Sequence, residues 1–298
     1  MNSKVYTTRQ LVREVEQSFE DNDLCYGHGT DNPHDEAVYL VFCLLGIPFD
    51  CAEGVLDELV KMESVSRVFE LAGQRICDRI PVAYLVNQAW FCGLEFQVDR
   101  RVLIPRSPIA ELIENRFSPW VTESGVSRVL DIGTGSGCIA VACAIAFPKA
   151  RIDAVDVSDS ALELAEINVD RHRLSDRIRL LRSDLFEKLQ DQKYDLIIAN
   201  PPYVSKQEMD SLPPEYCHEP ALALEAGSDG LDIIRRLLSE SGRYLRAGGI
   251  LVVEAGNGRQ AIEESFPDLP LTWVDFEFGG EGVFLLEAQY LQTPGRDN

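Results

Sequence analysis

Four consecutive residues, Asn200, Pro201, Pro202 and Tyr203, carry the most visible chemistry of this chain. They follow an apolar run, residues 194–199, that reads as a buried strand. Two prolines fix φ and remove two N–H donors from the turn. What remains is mainly acceptors: the side-chain oxygen of Asn200 and the carbonyl of Pro201, with the ring of Tyr203 beside them. A planar –NH2 group under that ring could give one hydrogen to each oxygen, so the corner suits an amide or an aromatic amine held by its nitrogen. A Pro-Pro turn after a strand is also an ordinary loop, and Asn is a common turn former. Taken alone, the motif divides evenly between the two readings.

A second motif upstream breaks the tie. Residues 129–147 read as strand, glycine loop and helix, with Gly133, Gly135 and Gly137 allowing a tight turn and close approach of backbone to a ligand. The spacing is G-x-G-x-G, whereas the dinucleotide fingerprint is G-x-G-x-x-G with pyrophosphate on the helix N-terminus. Asp131 precedes the loop; a carboxylate there repels a pyrophosphate and suits a cationic ligand. The next predicted strand ends at Asp156, about 20 residues on, where an acid grips ribose hydroxyls. A third, 178–182, is followed by Asp184, placed to accept from an adenine amino group. All four features stand at the C-terminal ends of predicted parallel strands, the edge where open α/β sheets bind ligands.

That order of glycine loop, ribose acid, adenine acid and Asn-Pro-Pro-Tyr resembles the class I S-adenosylmethionine-dependent methyltransferases. The resemblance implies an α/β, Rossmann-like fold: a mostly parallel seven-stranded sheet with an antiparallel last strand, plus a small N-terminal helical domain. It implies S-adenosyl-L-methionine as cofactor, leaving as S-adenosyl-L-homocysteine, and no metal. The cofactor site it implies is Asp131, Gly133, Thr134, Gly135, Gly137, Asp156, Asp184, Leu185 and Asn200, and the catalytic set Asn200, Pro201 and Tyr203. Asn-Pro-Pro-Tyr looks like the amino-methylating branch, which includes adenine N(6) and protein glutamine N(5) enzymes.

Further stretches separate those two. Arg79-Ile80-Pro81-Val82-Ala83-Tyr84-Leu85, Ala89-Trp90-Phe91-Cys92-Gly93, His218-Glu219-Pro220-Ala221-Leu222-Ala223-Leu224 and Gly227-Ser228-Asp229-Gly230-Leu231 are similar to the HemK-type protein glutamine N(5)-methyltransferases. Pro105-Arg106-Ser107-Pro108-Ile109-Ala110-Glu111-Leu112 and Tyr26-Gly27-His28-Gly29-Thr30-Asp31-Asn32-Pro33 resemble the branch of that family acting on ribosomal protein uL3. Release-factor enzymes typically carry Pro-Arg-Pro-Asp-Thr-Glu at the first of these, and often a Trp where this chain has Leu185. Stacking on adenine then falls to Leu185 or Phe186. The resemblance implies uL3 as the protein partner, with ribosomal RNA nearby during assembly. The alternatives are a release-factor glutamine methyltransferase, an adenine N(6) nucleic-acid methyltransferase, a nicotinamide oxidoreductase, and a non-catalytic assembly factor, whose mark would be a mutated acceptor turn.

Composition narrows the field. The 298 residues exceed one core of the commonest size and fit two domains. No apolar run approaches the roughly 20 residues of a membrane span, and no apolar stretch of signal-peptide length follows Met1; a cytoplasmic protein without membrane contact is expected. The eight cysteines form no C-x-x-C and read as small buried apolar groups. His28 and His34 lack the further ligands a metal site requires. With 49 acidic and 28 basic residues, the net charge of −21 gives no field for wrapping DNA and would attract a basic protein. The local clusters Arg100, Arg101, Arg106 and Arg171 to Arg182 read as solvated surface or an RNA contact.

The expected organisation is a helical recognition domain over 1–92, a connecting β-hairpin over 93–106 with its turn near Asp99 and Arg100, and a catalytic domain over 107–298. Helical stripes run through Leu11, Val12, Val15 and Phe19, then Leu56, Leu59, Val60 and Met62, then Val65, Val68, Phe69 and Ala72. Ser107 is the expected N-cap of a helix with Pro108 at its first position. A closing hairpin is expected from 271–278 and 283–287, and disorder over 293–298.

Overall fold

The structure, a computed structural model, describes residues 5–122, 125–190 and 192–291; the expected C-terminal disorder lies outside these. Contacts divide the chain into two units. Of the described residues, the first unit takes those up to Ala89, together with Val98–Arg100 and Pro213–His218; the second takes those of Trp90–Gln97, Arg101–Leu212 and from Glu219 to Leu291.

In the first unit, strand β1 (Tyr6–Thr7) leads into helix α1 (Thr8–Glu20), whose start is closed by a capping box between Thr7 and Gln10. Helix α2 (Pro33–Leu45) starts from the Asn32 side chain with Pro33 in its first turn, and stops at Gly46 with φ 66°. The expected stripe at Leu56, Leu59, Val60 and Met62 is not a helix. Glu53–Asp57 is a 3-10 turn, and β2 (Leu59–Val60) pairs antiparallel with β1, because two β-branched or apolar residues beside a free edge gain more from the ladder. Helices α3 (Met62–Cys77) and α4 (Val82–Val86) complete the unit. Leu11, Val12, Val15, Phe19, Val65, Val68 and Ala72 are buried in it, as their spacing predicts, together with Leu40 and Leu71.

A costly feature of it is Arg75, fully buried. Nε donates to Glu36 at 3.0 Å, Nη1 to Glu215 at 3.0 Å and Nη2 to the carbonyl of Cys25 at 2.8 Å. Glu215 also accepts from the Cys25 N–H at 3.0 Å. Buried charges are tolerated when paired and hydrogen-bonded throughout, and that condition draws the distant segment Pro213–His218 into this unit.

Strands β3 (Gln88–Phe91) and β4 (Leu94–Gln97) form a two-stranded sheet. The turn is Cys92-Gly93, with φ 49° and 67°, the pair of positive values that a two-residue hairpin loop requires. The hairpin thus sits earlier than the 93–106 expected. A turn does form at Arg100-Arg101, but no strand follows it; the Ile104 N–H instead donates to Glu219 at 3.0 Å.

The second unit continues with α5 (Ile109–Glu114), β5 (Arg128–Ile132), α6 (Cys138–Ala146), β6 (Arg151–Asp156), α7 (Asp159–Arg171), β7 (Ile178–Arg182) and β8 (Tyr194–Ala199). Then come α8 (Lys206–Met209), α9 (Asp232–Glu240), β9 (Leu245–Glu254), α10 (Arg259–Ser265), β10 (Thr272–Trp273), β11 (Val283–Glu287) and α11 (Ala288–Leu291). Seven strands form one sheet in the order β10-β11-β9-β8-β5-β6-β7. β9, β8, β5, β6 and β7 run parallel; β11 is antiparallel to β9, and β10 is antiparallel to β11. The closing hairpin is present, but its first strand has shrunk to Thr272–Trp273.

Side chains alternate between the two faces. Val129, Ile152, Ala154, Leu196, Ile198, Ile250 and Val252 pack on the side of α5 and α6. Leu130, Ile132, Val155, Ile197, Ala199, Leu251 and Val253 pack on the side of α9. A one-residue slip would exchange the two sets, so the register is strongly held. The parallel strands of the sheet have one reversal of order: from β5 the chain proceeds to β6 and β7 on one side and returns through β8 and β9 on the other.

Replacing Arg75 with Ala strands two carboxylates in a buried site. The expected cost is about 3–5 kcal/mol of unfolding free energy, read as a lower urea midpoint; a loss within about 0.5 kcal/mol would show that the buried ion cluster is not what holds Pro213–His218.

Candidate active site

The parallel register places the ends of β5, β6 and β8 side by side. Ile132 pairs with Val155 on one flank and with Ala199 on the other. The chain after β5 turns at once: Gly133 and Thr134 both donate their N–H to the Val155 carbonyl, at 2.9 and 3.0 Å. Gly133, Gly135 and Gly137 have φ of 72°, 53° and 81°, values that other residues reach only at a cost. Beyond the loop, a Cβ on Gly137 would stand 3.3 Å from that of Ala165, so this glycine serves the packing of α6 on α7.

Asp131 occupies an apolar position of β5, on the α6 face, and is fully buried. Its Oδ2 accepts from the Thr134 hydroxyl at 2.6 Å and from the Ala140 N–H at 3.1 Å. It braces the loop from beneath and ties it to the first turn of α6. Its Oδ1 is buried with no protein partner among the described residues. Burial pushes the carboxyl up to about 7 against those two hydrogen bonds.

Asp156 ends β6. Its Oδ2 accepts from the Gly135 N–H and its Oδ1 from the Ser158 N–H, both at 2.9 Å. Each oxygen keeps a second lone pair for a guest, although burial raises this carboxyl too. Asp184, after β7, is held by Arg236 of α9, whose Nη1 donates to both oxygens at 2.9 and 3.1 Å. Leu185 is buried with φ 47°, its carbonyl taken by the Ser183 hydroxyl at 2.9 Å. Phe186 stacks on Tyr244 with ring centroids 4.6 Å apart and does not line the cavity, leaving Leu185 as the apolar wall of the two residues anticipated.

The Asn200–Tyr203 corner faces the same space. A Cβ built on Gly133 would stand 3.7 Å from the carbonyl oxygen of Asn200, so the glycine loop and the acceptor corner meet through bare backbone. After the turn, the Val204 N–H donates to Leu224 at 2.8 Å and the Ala226 N–H to Val204 at 2.9 Å. The 219–226 segment is thereby laid beside the corner. Glu219 pins its start: Arg106 reaches it with two parallel bonds of 2.6 and 2.7 Å, and the Ile104 N–H with a third. Arg106 is therefore committed to this internal pair, not to a basic surface. Ser107 takes a different role from the expected cap. Its Oγ accepts from the Ile109 N–H at 3.2 Å, α5 begins only at Ile109, and the hydroxyl proton goes to Glu254.

These pieces enclose a cavity of 320 Å³, within the range of about 300–1,000 Å³ typical of small-molecule sites. Of the residues anticipated from sequence, Gly133, Thr134, Gly135, Asp156, Asp184, Leu185, Asn200 and Pro201 line it. Asp131, Gly137 and Tyr203 are not in its lining: Asp131 braces Thr134, which is, Gly137 serves helix packing, and Tyr203 donates to Glu254. Sequence reading missed Arg236 and Glu254 as partners of named site residues. Arg236 lies on an amphipathic helix, where an Arg reads as solvated surface, and Glu254 reads as the polar end of a strand. The lining suits a nucleoside: acceptor carboxylates at Asp156 and Asp184, apolar walls at Ile132, Val157, Leu185 and Ile233, and a backbone-lined loop. S-adenosylmethionine is such a molecule.

The family described as "Methyltransferase small domain" matches residues 119–227. A protein of Francisella tularensis named ribosomal protein uL3 glutamine methyltransferase is 46% identical over 285 residues, covering 95% of this chain and 91% of that protein. A protein of the same name from Bordetella pertussis is 46% identical, covering 97% of this chain and 98% of its own. Among solved structures, the hMettl16 catalytic domain in complex with a MAT2A 3′UTR hairpin superposes with a TM-score of 0.51 at 20% identity, over 78% of this chain and 84% of that one. That last likeness speaks to the fold alone.

Asp131 makes stability depend on pH. Its folded value, about 7, lies above its ordinary one, so its contribution is complete in acid and fades as the pH rises through 7. Asp131→Asn keeps an acceptor for Thr134 and Ala140 and removes the titration. Stability of the wild type relative to this variant should fall by at least about 1.4 kcal/mol, one pKa unit, between pH 4 and 8. Urea midpoints at several pH values measure it, and a difference that stays constant would refute the assignment.

Proposed function

The chain belongs to the family of ribosomal protein uL3 glutamine methyltransferases, and from that premise we propose that its cavity holds S-adenosylmethionine on the glycine-loop side and a glutamine carboxamide of uL3 at the Asn200–Tyr203 corner. The protein is an S-adenosylmethionine-dependent enzyme that methylates the side-chain nitrogen of that glutamine. The observation that carries the residue assignment is the meeting of Gly133 and Asn200 in a single cavity that also contains Asp156 and Asp184.

Asp156 would grip the ribose hydroxyls with its remaining lone pairs, and its two backbone bonds keep the carboxylate aimed. Asp184 would accept from the adenine amino group, with Arg236 fixing its plane, while Leu185 and Val157 supply apolar faces for the base. Bound there, the cofactor supplies an electrophilic methyl carbon on a sulfonium.

The remaining difficulty is the nucleophile. An amide nitrogen has its lone pair delocalised into the carbonyl, the resonance behind the peptide rotation barrier of about 18–20 kcal/mol. The Asn200 side-chain oxygen and the Pro201 carbonyl would accept the two amide hydrogens, turning the lone pair toward the methyl and stabilising positive charge as it grows on nitrogen. Such preorganised dipoles act where charge develops, and the prolines keep them from moving. No base is needed before transfer, because the N-methylated amide cation is a strong acid and gives its proton to water. Alignment itself supplies a large share, about 7–11 kcal/mol in well-oriented systems.

The helical first unit is assigned to recognition of the protein substrate. With a net charge of −21 the enzyme suits a basic ribosomal protein and not a DNA backbone. Ribosomal RNA would lie nearby during assembly, and a substrate of this kind places the work in the cytoplasm.

Asn200→Ala should lower turnover on purified uL3 by at least a hundredfold while calorimetric affinity for S-adenosylhomocysteine stays within tenfold; activity kept within tenfold would discard the acceptor role. Mass spectrometry of tryptic uL3 peptides should show one added methyl on a glutamine with the wild type and none with this variant. Asp156→Ala should weaken cofactor binding by about 1.5–3 kcal/mol, the scale of a hydrogen bond to a charged group. Unchanged affinity in calorimetry would remove Asp156 from the ribose.

A further inference from the structure

Glu254, the last residue of β9, is buried next to the acceptor corner and makes no contribution to the cavity wall. Its two oxygens are taken by two different hydroxyls. Tyr203 donates to Oε1 at 3.2 Å, and Ser107 donates to Oε2 in a shorter bond. Tyr203 is also the last residue of the Asn-Pro-Pro-Tyr turn. Its surroundings leave it little freedom. Gly256 has φ 48°, and a Cβ there would fall 2.5 Å from the Tyr203 ring. A Cβ on Gly230 would fall 2.3 Å from the Tyr203 carbonyl. Behind Gly256 the backbone is stacked as closely, since a Cβ on Gly282 would fall 1.8 Å from the Gly256 carbonyl. A tyrosine gripped by backbone on this scale, with its hydroxyl tied to a buried carboxylate, is a fixed post.

We infer that Glu254 is a positioning residue for methyl transfer: by holding the hydroxyls of Tyr203 and Ser107 together, it locks the end of the turn whose Asn200 and Pro201 oxygens receive the acceptor amide. The inference rests on the reading of that corner as the amide site. Glu254 touches neither substrate nor cofactor, and it acts through Tyr203. Its burial raises the carboxyl above its ordinary range, and the two hydroxyl donors compensate the oxygens for lost water. A glutamine in its place would still accept from Tyr203 through its oxygen and could donate to the Ser107 oxygen. An alanine could do neither.

The test is steady-state and binding measurement on Glu254→Ala, Glu254→Gln, Tyr203→Phe and the double variant Glu254→Ala/Tyr203→Phe, with purified uL3 as methyl acceptor. Glu254→Ala should lower kcat at least tenfold while calorimetric affinity for S-adenosylhomocysteine, which also certifies folding, stays within threefold. Glu254→Gln should restore kcat to within threefold of the wild type. Tyr203→Phe should lower kcat at least fivefold, and the double variant should be no slower than the slower single one, because both remove the same link. A merely structural carboxylate would lower the melting temperature without this pattern. Wild-type kcat in Glu254→Ala, equal loss in the alanine and glutamine variants, or additive losses in the double variant would each overturn the inference. Should Glu254→Ala fail to fold, Tyr203→Phe decides alone: turnover within twofold of the wild type overturns it. Asn200→Ala separates the two levels. If that variant stays active, the amide-site reading fails; if it is inactive while Glu254→Ala is fully active, only the role of Glu254 fails.

Discussion

The site depends on a register: Ile132 lies opposite Val155 in one direction and opposite Ala199 in the other. That arrangement ends three parallel strands at one level and leaves their next residues pointing into a shared crevice. It also exists only where strand order reverses, since β5 must have one neighbour that follows it and another that comes back later. Open α/β sheets bind ligands at that position for this reason. Hydrophobic alternation on both faces holds the register, so the geometry of the crevice is carried by some of the most buried residues of the molecule.

Although most of its carboxylates are at the surface, a few are buried around the site. Asp131 braces the glycine loop, Glu219 ties Arg106 and the Ile104 backbone to the segment beside the acceptor corner, and Glu254 joins Ser107 to Tyr203. None of the three faces the cavity, yet each holds a residue or segment that does. On the proposed reading, acceptors are what the corner needs, because the amide arrives with hydrogens to donate and develops positive charge as it reacts. In the supporting layer, too, carboxylates hold hydroxyls, N–H groups and the Arg106 guanidinium in place.

The first unit shows the same economy in another form. Arg75 gathers Glu36, Glu215 and the Cys25 carbonyl in a dry interior. A cluster of this kind adds little net stability relative to an apolar core, but it is demanding of geometry. Its demand is for the Pro213–His218 segment, which lies between the acceptor corner and the Glu219 segment along the chain.

Local physics was enough for most of the elements and for proposing a chemistry at the corner. Strand runs such as 194–199, the glycines of the loop, the prolines of the turn and the acids at strand ends are legible because periodicity, φ preference and missing donors are properties of a few adjacent residues. The hairpin was misplaced, because alternation over 94–104 resembles a strand pair while the true turn hides in the positive φ of Cys92 and Gly93. The stripe at Leu56, Leu59, Val60 and Met62 was misread, since edge pairing with Tyr6 and Thr7 competes with helical spacing only once the chain has folded. Tertiary structure alone decided the partnerships: Arg236 with Asp184, Arg106 with Glu219, Glu254 with Tyr203, Glu215 with Arg75. In sequence every Arg and Glu looks equally fit for solvent; for Arg75, Glu215, Glu219 and Glu254 it is burial, by making an unpaired charge or hydroxyl costly, that selects the partner, whereas Arg236 and Asp184 meet half-exposed where the fold brings α9 beside the end of β7.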